Sequence, residues 1–413
     1  MRPIVSRTPH LILYGVLVLI ALFVVGCGEK VTETIREVPV NPPGDDTLPE
    51  ALVTENRPPN PPHSLELPCP WGVVEDVYNN EYLVGNLGPD VIPSIDEPKW
   101  GVVGNTDLAL LDNEPVAVVE RDGEVRAFPT RVMLHHEIVN MCWSTSAGDD
   151  YTYISYCPLV DGYMHFDDPR VCTAKHKYGV SGALFNGNLI TFDRKTIDRP
   201  PLQLFVQLYA GGVLGSCGDA DPMATTMNYG LFRRMYPEGK VLSKDTGRQP
   251  DPSAGDGGYN LFDHPYDFYW RSGEIWFPLE RQDPRLPKMQ HVLGVIGATE
   301  NRAYEVKGTN FALNDTLDGL PIAIFNDHSF SSTLAFEAMH EGQALTFTLA
   351  GREKNGILVF KDTQTGTYWS FDGIAVDGPL LGARLPRLMA FRTFWFAWYA
   401  LYPDADLRPL PTG

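Results

Sequence analysis

Apolar and polar residues alternate over Val116–Arg121 and Glu124–Pro129, the period-two pattern of strands that bury one face. Asp122-Gly123 lies between them. That dipeptide favours a two-residue turn whose twist matches paired strands. A hairpin is therefore predicted, with Val116, Val118, Val125 and Ala127 on one face. Pro129 ends it, and Thr130–Val139 reads as a short helix with Thr130 as N-cap. Tyr151–Tyr156 has the β-branched and aromatic content of a strand. Ala183–Phe185 and Asn188–Phe192 flank Asn186-Gly187, a second hairpin signal. Phe391, Phe394, Trp395 and Trp398 recur at helical spacing and predict the apolar face of a short helix.

The order of features then recurs. VAVVERDGEVRAFP (116–129) is matched by VLGVIGATENRAYE (292–305), and YTYISYCPLVDGYMHF (151–166) by LPIAIFNDHSFSSTLAF (320–336). NGNLITFDRKT (186–196) is matched by NGILVFKDTQT (355–365), YAGGVLG (209–215) by VDGPLLG (376–382), and MYPEGKVL (235–242) by LYPDADL (401–407). This predicts a tandem duplication of a unit of about 120 residues. The expected fold is mainly β, a β-rich α+β body of two such copies with a few short helices. The expected division is a first repeat over 65–242, a Gly/Pro/Asp-rich linker over 243–260, and a second repeat over 261–413.

Upstream the pattern changes. Arg2 and Arg7 precede the apolar run Leu11–Val25, and Val24-Val25-Gly26-Cys27 follows as a lipobox. The run is short for a membrane span and has signal-peptide flanks. It resembles a bacterial lipoprotein signal over residues 1–26, with cleavage before Cys27 and a lipid attached to that thiol. An uncleaved anchor is the alternative, and either places the body outside the cytoplasm. The expected location is the cell envelope, lipid-anchored (periplasm or outer membrane in a Gram-negative cell). Residues 27–64, with the Pro58–Pro62 cluster, read as a disordered tether.

The formal net charge is −19, with a pI of about 4.9. Nucleic-acid binding needs a basic face, so that class is excluded as a partner. Loose attraction to anionic lipid is excluded on the same ground. Six cysteines become five after Cys27 is lipidated: Cys69, Cys142, Cys157, Cys172 and Cys217. An exported chain permits disulfides, and an odd number leaves at least one thiol unpaired or metal-bound.

Candidate chemistry gathers in Thr130–Phe166, which holds His135, His136, Glu137, Cys157 and His165. Cys157 precedes Pro158, at a predicted strand end open to a ligand. A working thiolate needs its acidity raised by a neighbouring His or metal. His136 would supply that, with Glu137 orienting the ring. His135 points elsewhere than its neighbour. A two-residue turn at Asp161-Gly162 would pair Cys157 with Phe166 and put His165 on the opposite face. The same residues could instead hold zinc or copper, with His136 and Cys157 as ligands and help from His176 or His264. There is no CxxC and no HExxH. The structural alternative makes Cys157 a small buried hydrophobe or half of a disulfide with Cys142. Tyr266, Phe268, Tyr269 and Trp270 read as core in preference to a pocket lining, and Asp193-Arg194 as a local turn pair.

Several blocks together resemble the exported prokaryotic proteins called domain of unknown function 3179. They are His136-Glu137-Ile138-Val139-Asn140, Tyr156-Cys157-Pro158-Leu159, Gly179-Val180-Ser181-Gly182, Asn186 and Asp193-Arg194. Pro265-Tyr266, Phe277-Pro278, Pro284–Lys288, Val292–Val295 and Trp395–Pro403 extend the likeness over roughly 100–407. The family supplies no established activity. Its pattern usually has a second cysteine where this chain has Val160, so a CxxC pair is not implied here. Leu134-His135 stands where an Asn-Trp pair is often found, which favours His136 over His135. Two functions are expected from different classes: an extracytoplasmic lipoprotein with a Cys157/His136 site, thiol-dependent or metal-binding, or a non-catalytic binding or scaffold lipoprotein with structural cysteines. Small-molecule and protein partners stay open.

Overall fold

A computed structural model describes residues 83–85, 88–167, 177–194, 204–209, 211–213, 219–221, 224–247, 264–306, 308–353 and 355–408. The signal and lipidation site, the tether, Cys69, Cys172, Cys217, His176 and most of the linker lie outside them.

The first predicted hairpin forms from Pro115–Arg121 and Glu124–Pro129. Asp122 and Gly123 take positive φ values of 47° and 80°, as a two-residue turn of the mirror-image type requires. Val116, Val118 and Ala127 are buried on one face, with Val125 packed beside them. Thr225–Asn228 pairs antiparallel with one edge of this hairpin and Lys240–Leu242 pairs parallel with the other. The helix Tyr229–Met235 joins those two strands.

The same arrangement occurs downstream. His291–Ile296 and Asn301–Glu305 form the hairpin, Ala390–Phe394 adds antiparallel, and Asp406–Arg408 adds parallel. Trp395–Leu401 is the joining helix. The residues before the two helices have φ/ψ of −78°/147° and −71°/147°, and those after have −131°/69° and −127°/66°. Phe391 and Phe394 therefore lie on a strand, and only Trp395 and Trp398 of the predicted aromatic face are helical. All four are buried in one core.

Between hairpin and strand-helix-strand, each half runs through an antiparallel meander and then a second sheet. In the first half the meander is Ile138–Thr145, Gly148–Cys157 and Gly162–Asp167. In the second it is Phe311–Leu317, Leu320–Asp327 and Ser332–Glu337. The second sheets run Tyr178–Phe185, Asn188–Asp193, Leu204–Val206, Gly211–Val213 and Phe347–Arg352, Leu358–Asp362, Tyr368–Ser370, Ala375–Asp377. Asn186-Gly187 makes the predicted turn, with φ of 49° and 76°.

The helix after the first hairpin is shorter than predicted, Thr130–Met133. Pro129 is at its N-cap without a side-chain cap bond, and Thr130 is helical and buried. Its hydroxyl accepts a 2.8 Å bond from Tyr163, and as the first helical residue it does not occupy the cap position. A turn over Leu134–Glu137 ends the helix, with Glu137 at φ 58°, and Ile138 already begins the next strand.

The cores do not respect the midpoint of the chain. Ile138, Tyr153, Cys157, Met164 and Ile190 share one cluster with Val292, Phe394, Trp395 and Trp398. Val116, Met227 and Phe232 share another with Phe325, Phe336 and Trp369.

Candidate functional site

Cys157 ends its strand, as expected, but is 1% exposed. Its register differs from the expected one: Cys157 pairs with Gly162 and Ile154 with His165. The connection is the four-residue segment Pro158–Asp161, with Asp161 at φ 47°. Asp161 is held in place by side-chain bonds formed at a distance in sequence, which a local turn rule cannot see. His165 still faces away from Cys157, because opposite residues share a face and neighbours do not. Its Nε2 lies 2.8 Å from Thr152 Oγ1. Among the described residues Cys142 and Cys157 are both free thiols, so the disulfide between them is excluded. Cys142 is exposed.

The carboxyl group of Glu137 accepts a 3.0 Å hydrogen bond from the Tyr266 hydroxyl and lies within electrostatic reach of Cys157, as do the Tyr266 and Tyr269 phenols. Tyr269 is fully buried. These phenols come from Tyr266 and the short helix Asp267–Ser272, which caps the strand end and anchors there through a 2.7 Å bond from Trp270 Nε1 to the Pro158 carbonyl. The Pro265-Tyr266 block and the dense aromatic run thus contribute polar groups to the site, and a reading of them as core alone misses this. The signal was the isolated hydroxyls in an otherwise apolar run.

The electrostatics differ from expectation. Burial pushes the Cys157 thiol up to about 12, and the Glu137 charge adds to that. The backbone of Leu189, Val160 and Leu159 nearby opposes the rise, and the thiol itself donates to the Gly187 carbonyl at 4.0 Å. Burial also raises the Glu137 carboxyl to about 8, against the pull of the Tyr266 bond. Both groups are therefore protonated at neutral pH in the resting site.

His136 is 1% exposed, and its Nδ1 lies 2.8 Å from the Pro93 carbonyl. A carbonyl only accepts, so the neutral ring keeps its proton on Nδ1 and its lone pair on Nε2. The same block ties down residues 88–96. Ile95 N donates to Ile138 O and Asn140 N to Ile95 O, both at 2.8 Å. The Asn140 side chain donates to Asp96 at 2.8 Å. Arg194 is no local turn partner of Asp193: it makes paired bonds to Asp90 and Asp96 at 2.8–3.0 Å. A Cβ on Gly179 would lie 2.3 Å from Asp90 Oδ1. Much of the family-like pattern therefore secures this segment. The structure brings Glu137 to Cys157 and gives His136 a bond to the segment.

A metal needs about three protein donors in a closed or catalytic site. Among the described residues no group of three or more His, Cys, Asp or Glu side chains is placed to hold one. His264 packs edge-on against Trp270. Among the described residues the donors near Cys157 are its thiol and one carboxyl group.

The Pro158–Asp161 turn has its own supports. Thr393 Oγ1 and Phe394 N both donate to the Val160 carbonyl, at 2.7 and 3.0 Å. His291 Nε2 lies 2.6 Å from Asp161 Oδ2, and the Tyr156 hydroxyl donates to Asp161 Oδ1 at 3.0 Å. Burial works to raise the Asp161 carboxyl, but the His291 bond and charge, Arg392 and Tyr156 outweigh it and hold the group at about 2. His291 and Asp161 had no signal in the sequence, because the contact spans two halves of the chain.

The model of a family described as a protein of unknown function (DUF3179) matches residues 89–405. No curated protein and no solved structure matches the chain.

Proposed function

The chain belongs to the DUF3179 family of proteins of unknown function, and on that premise we propose that it is a thiol-dependent protein of the cell envelope whose working group is Cys157. The observation that carries this reading is the buried Glu137 carboxyl group, held by the Tyr266 hydroxyl at 3.0 Å and near enough to Cys157 for its charge to act on the thiol. Buried ionisable groups of this kind cluster at functional sites. Glu137 is the acid–base partner, its carboxyl poised near neutrality by burial. Tyr266 orients that carboxyl. His136 is a positioning residue that fixes the turn carrying Glu137 to residue 93.

The test uses purified protein with residues 1–27 removed. Free thiols are mapped by alkylation and mass spectrometry in the parent, Glu137→Gln and His136→Ala, with elemental analysis for metal alongside. The expected result is a Cys157 thiol that reacts in the folded state and slows at least tenfold in Glu137→Gln. A Cys157 that alkylates only on unfolding would sink the reading and leave a scaffold lipoprotein with a structural thiol.

The envelope location rests on the lipobox at Cys27. Labelled palmitate should enter the wild-type chain in a bacterial host and be absent from Cys27→Ser. Among the described residues no helix is long and apolar enough to cross a membrane, and the run Leu11–Val25 lies outside them.

The body is a tandem duplication, with copies over 65–242 and 261–413 and a linker over 243–260. What supports this is the repeated order of hairpin, meander, second sheet and strand-helix-strand. The meanders agree residue by residue at one end: Cys157 opposes Gly162 and Asp327 opposes Ser332, each across a four-residue turn. The turns end on Asp161 and Ser331, at φ 47° and 49°. The second-copy counterpart of Cys157 is thus Asp327, which forms a double ion pair with Arg352 at 3.0 Å. The frame does not need a thiol there, and the first copy has one.

A further inference from the structure

A cleft of about 340 Å³, partly open to solvent, lies where the two halves of the chain meet. Its walls come from the strands Thr225–Asn228, Ser332–Glu337 and Ala390–Phe394 and the residues just before the first and last of these. The walls are fixed to one another. Ser332 Oγ donates to the Thr226 carbonyl at 3.0 Å, and Leu388 N donates to the Ala335 carbonyl at 3.0 Å. Arg392 pairs with Leu293 in its sheet, and Arg387 forms an antiparallel bridge with Phe336. Backbone bonds therefore set where both arginine side chains start.

The chemistry of these walls is one-sided. Two guanidinium groups, of Arg387 and Arg392, line the cleft, and no carboxylate does. Arg387 donates to the Thr225 hydroxyl across the seam. Arg392 Nη1 donates to the Ser331 carbonyl at 3.4 Å, and its Nε is buried with no hydrogen-bond partner among the described residues. The carboxylate whose charge reaches Arg392 is Asp161, which His291 and Tyr156 already hold. Buried and half-buried arginines elsewhere are matched with acids, as Arg194 is with Asp96, Arg302 with Asp315 and Arg352 with Asp327. Such matching is what offsets the desolvation of a guanidinium.

We infer that the cleft between Arg387 and Arg392 binds a small carboxylate ligand, a singly charged anion with a short apolar body. A carboxylate accepts paired hydrogen bonds from a planar guanidinium, which fits an arginine with an unused Nε. The narrow inner end of the cleft suits a flat group of a few atoms. Leu293, Leu334 and Leu388 line the same space and suit a short hydrocarbon body. A chain with a formal net charge of −19 repels a multiply charged anion more strongly than a single charge. Bound there, the ligand would join Arg387 and Arg392 of the second half close to Thr225 of the first.

The test uses the full lipidated chain in detergent. Isothermal titration calorimetry compares sodium butyrate, sodium phosphate and sodium chloride at equal ionic strength. Phenylglyoxal, which modifies arginine, then maps the site by mass spectrometry, with the exposed Arg271 as reference on the same molecule. Butyrate should titrate saturably, and at saturation it should slow modification of Arg387 and Arg392 about tenfold without changing Arg271. Arg392→Gln and Arg387→Gln should each weaken butyrate binding about tenfold, the worth of a hydrogen bond to a charged group. Arg392→Lys keeps the charge but loses the planar fork, and it too should bind more weakly. If the glutamine variants fail to fold, the wild-type titration and protection decide alone. Phosphate bound more tightly than butyrate overturns the carboxylate. Chloride bound as tightly as butyrate, or no saturable butyrate binding, overturns the site. Neither result touches Cys157, so this site and the thiol reading stand or fall separately.

Discussion

Glu137 combines features that are each uncommon. It is a non-glycine residue at φ 58°, it is 5% exposed, and its carboxyl is raised by burial to about 8 from an ordinary 4.5. Strain and burial of this kind persist where the surroundings impose them, and they cluster at functional sites. They also set a pH dependence. Between pH 4.5 and about 8 the native carboxyl keeps its proton while the unfolded one has lost it. The native state then binds more protons, so this group's contribution is full below pH 4.5 and is lost as pH rises through 8. Denaturant melts of wild type and Glu137→Gln at pH 5 and pH 8 should show wild type losing several kcal/mol relative to the variant. Equal losses in both would mean that the carboxyl is not held protonated. Cys157 and Glu137 were legible in the sequence, because reactive residue types stood close together there. The Pro93 partner of His136, 43 positions away, was not, since nothing in a one-dimensional pattern marks which carbonyl a ring nitrogen will meet.

At the scale of elements, short turns were legible where the turn chemistry is local and illegible where tertiary contacts decide. Asp122-Gly123 and Asn186-Gly187 supply both positive-φ residues themselves. The Pro158–Asp161 turn is shaped by Trp270, His291, Thr393 and Phe394, and reading Asp161-Gly162 as its centre misplaced the register by two pairs of residues. Two substitutions probe these elements. Gly187→Ala puts a Cβ at φ 76° and 1.9 Å from the Phe277 ring. It should destabilise by more than about 2 kcal/mol, read from the denaturation midpoint. His291→Ala removes one of the two side chains bonded to the half-buried Asp161 carboxylate and leaves the Tyr156 hydroxyl. It should cost about 1–3 kcal/mol and slow Cys157 alkylation, since the turn that follows Cys157 loses one of its supports. A folded His291→Ala protein with unchanged Cys157 reactivity would show that the turn holds without this bond.

Across the whole molecule, the recurrence of feature order in the sequence anticipated the recurrence of topology. It said nothing of how the parts join, because an apolar face does not record which neighbour covers it. Both large cores draw on residues from each half. A fragment of residues 65–242 would leave Ile138, Tyr153, Met164 and Ile190 without Val292, Phe394 and Trp398. Either half made alone should therefore lack a cooperative thermal transition and bind a hydrophobic dye, while the intact chain melts in one step. A sharp transition in an isolated half would make the halves independent domains.

The hydrogen bond between Asp161 and His291 spans 130 residues, and Thr393 and Phe394 come later still. At a synthesis rate on the order of 5–20 residues per second, Cys157 emerges roughly ten seconds before the first of its clamps. During that interval the sulfur has strands around it but not the helix that later covers its strand end. Newborn chains thus expose Cys157 to any passing reagent, whereas finished chains admit only what the closed site selects. The speed with which the second half is delivered becomes part of which reagents the thiol meets.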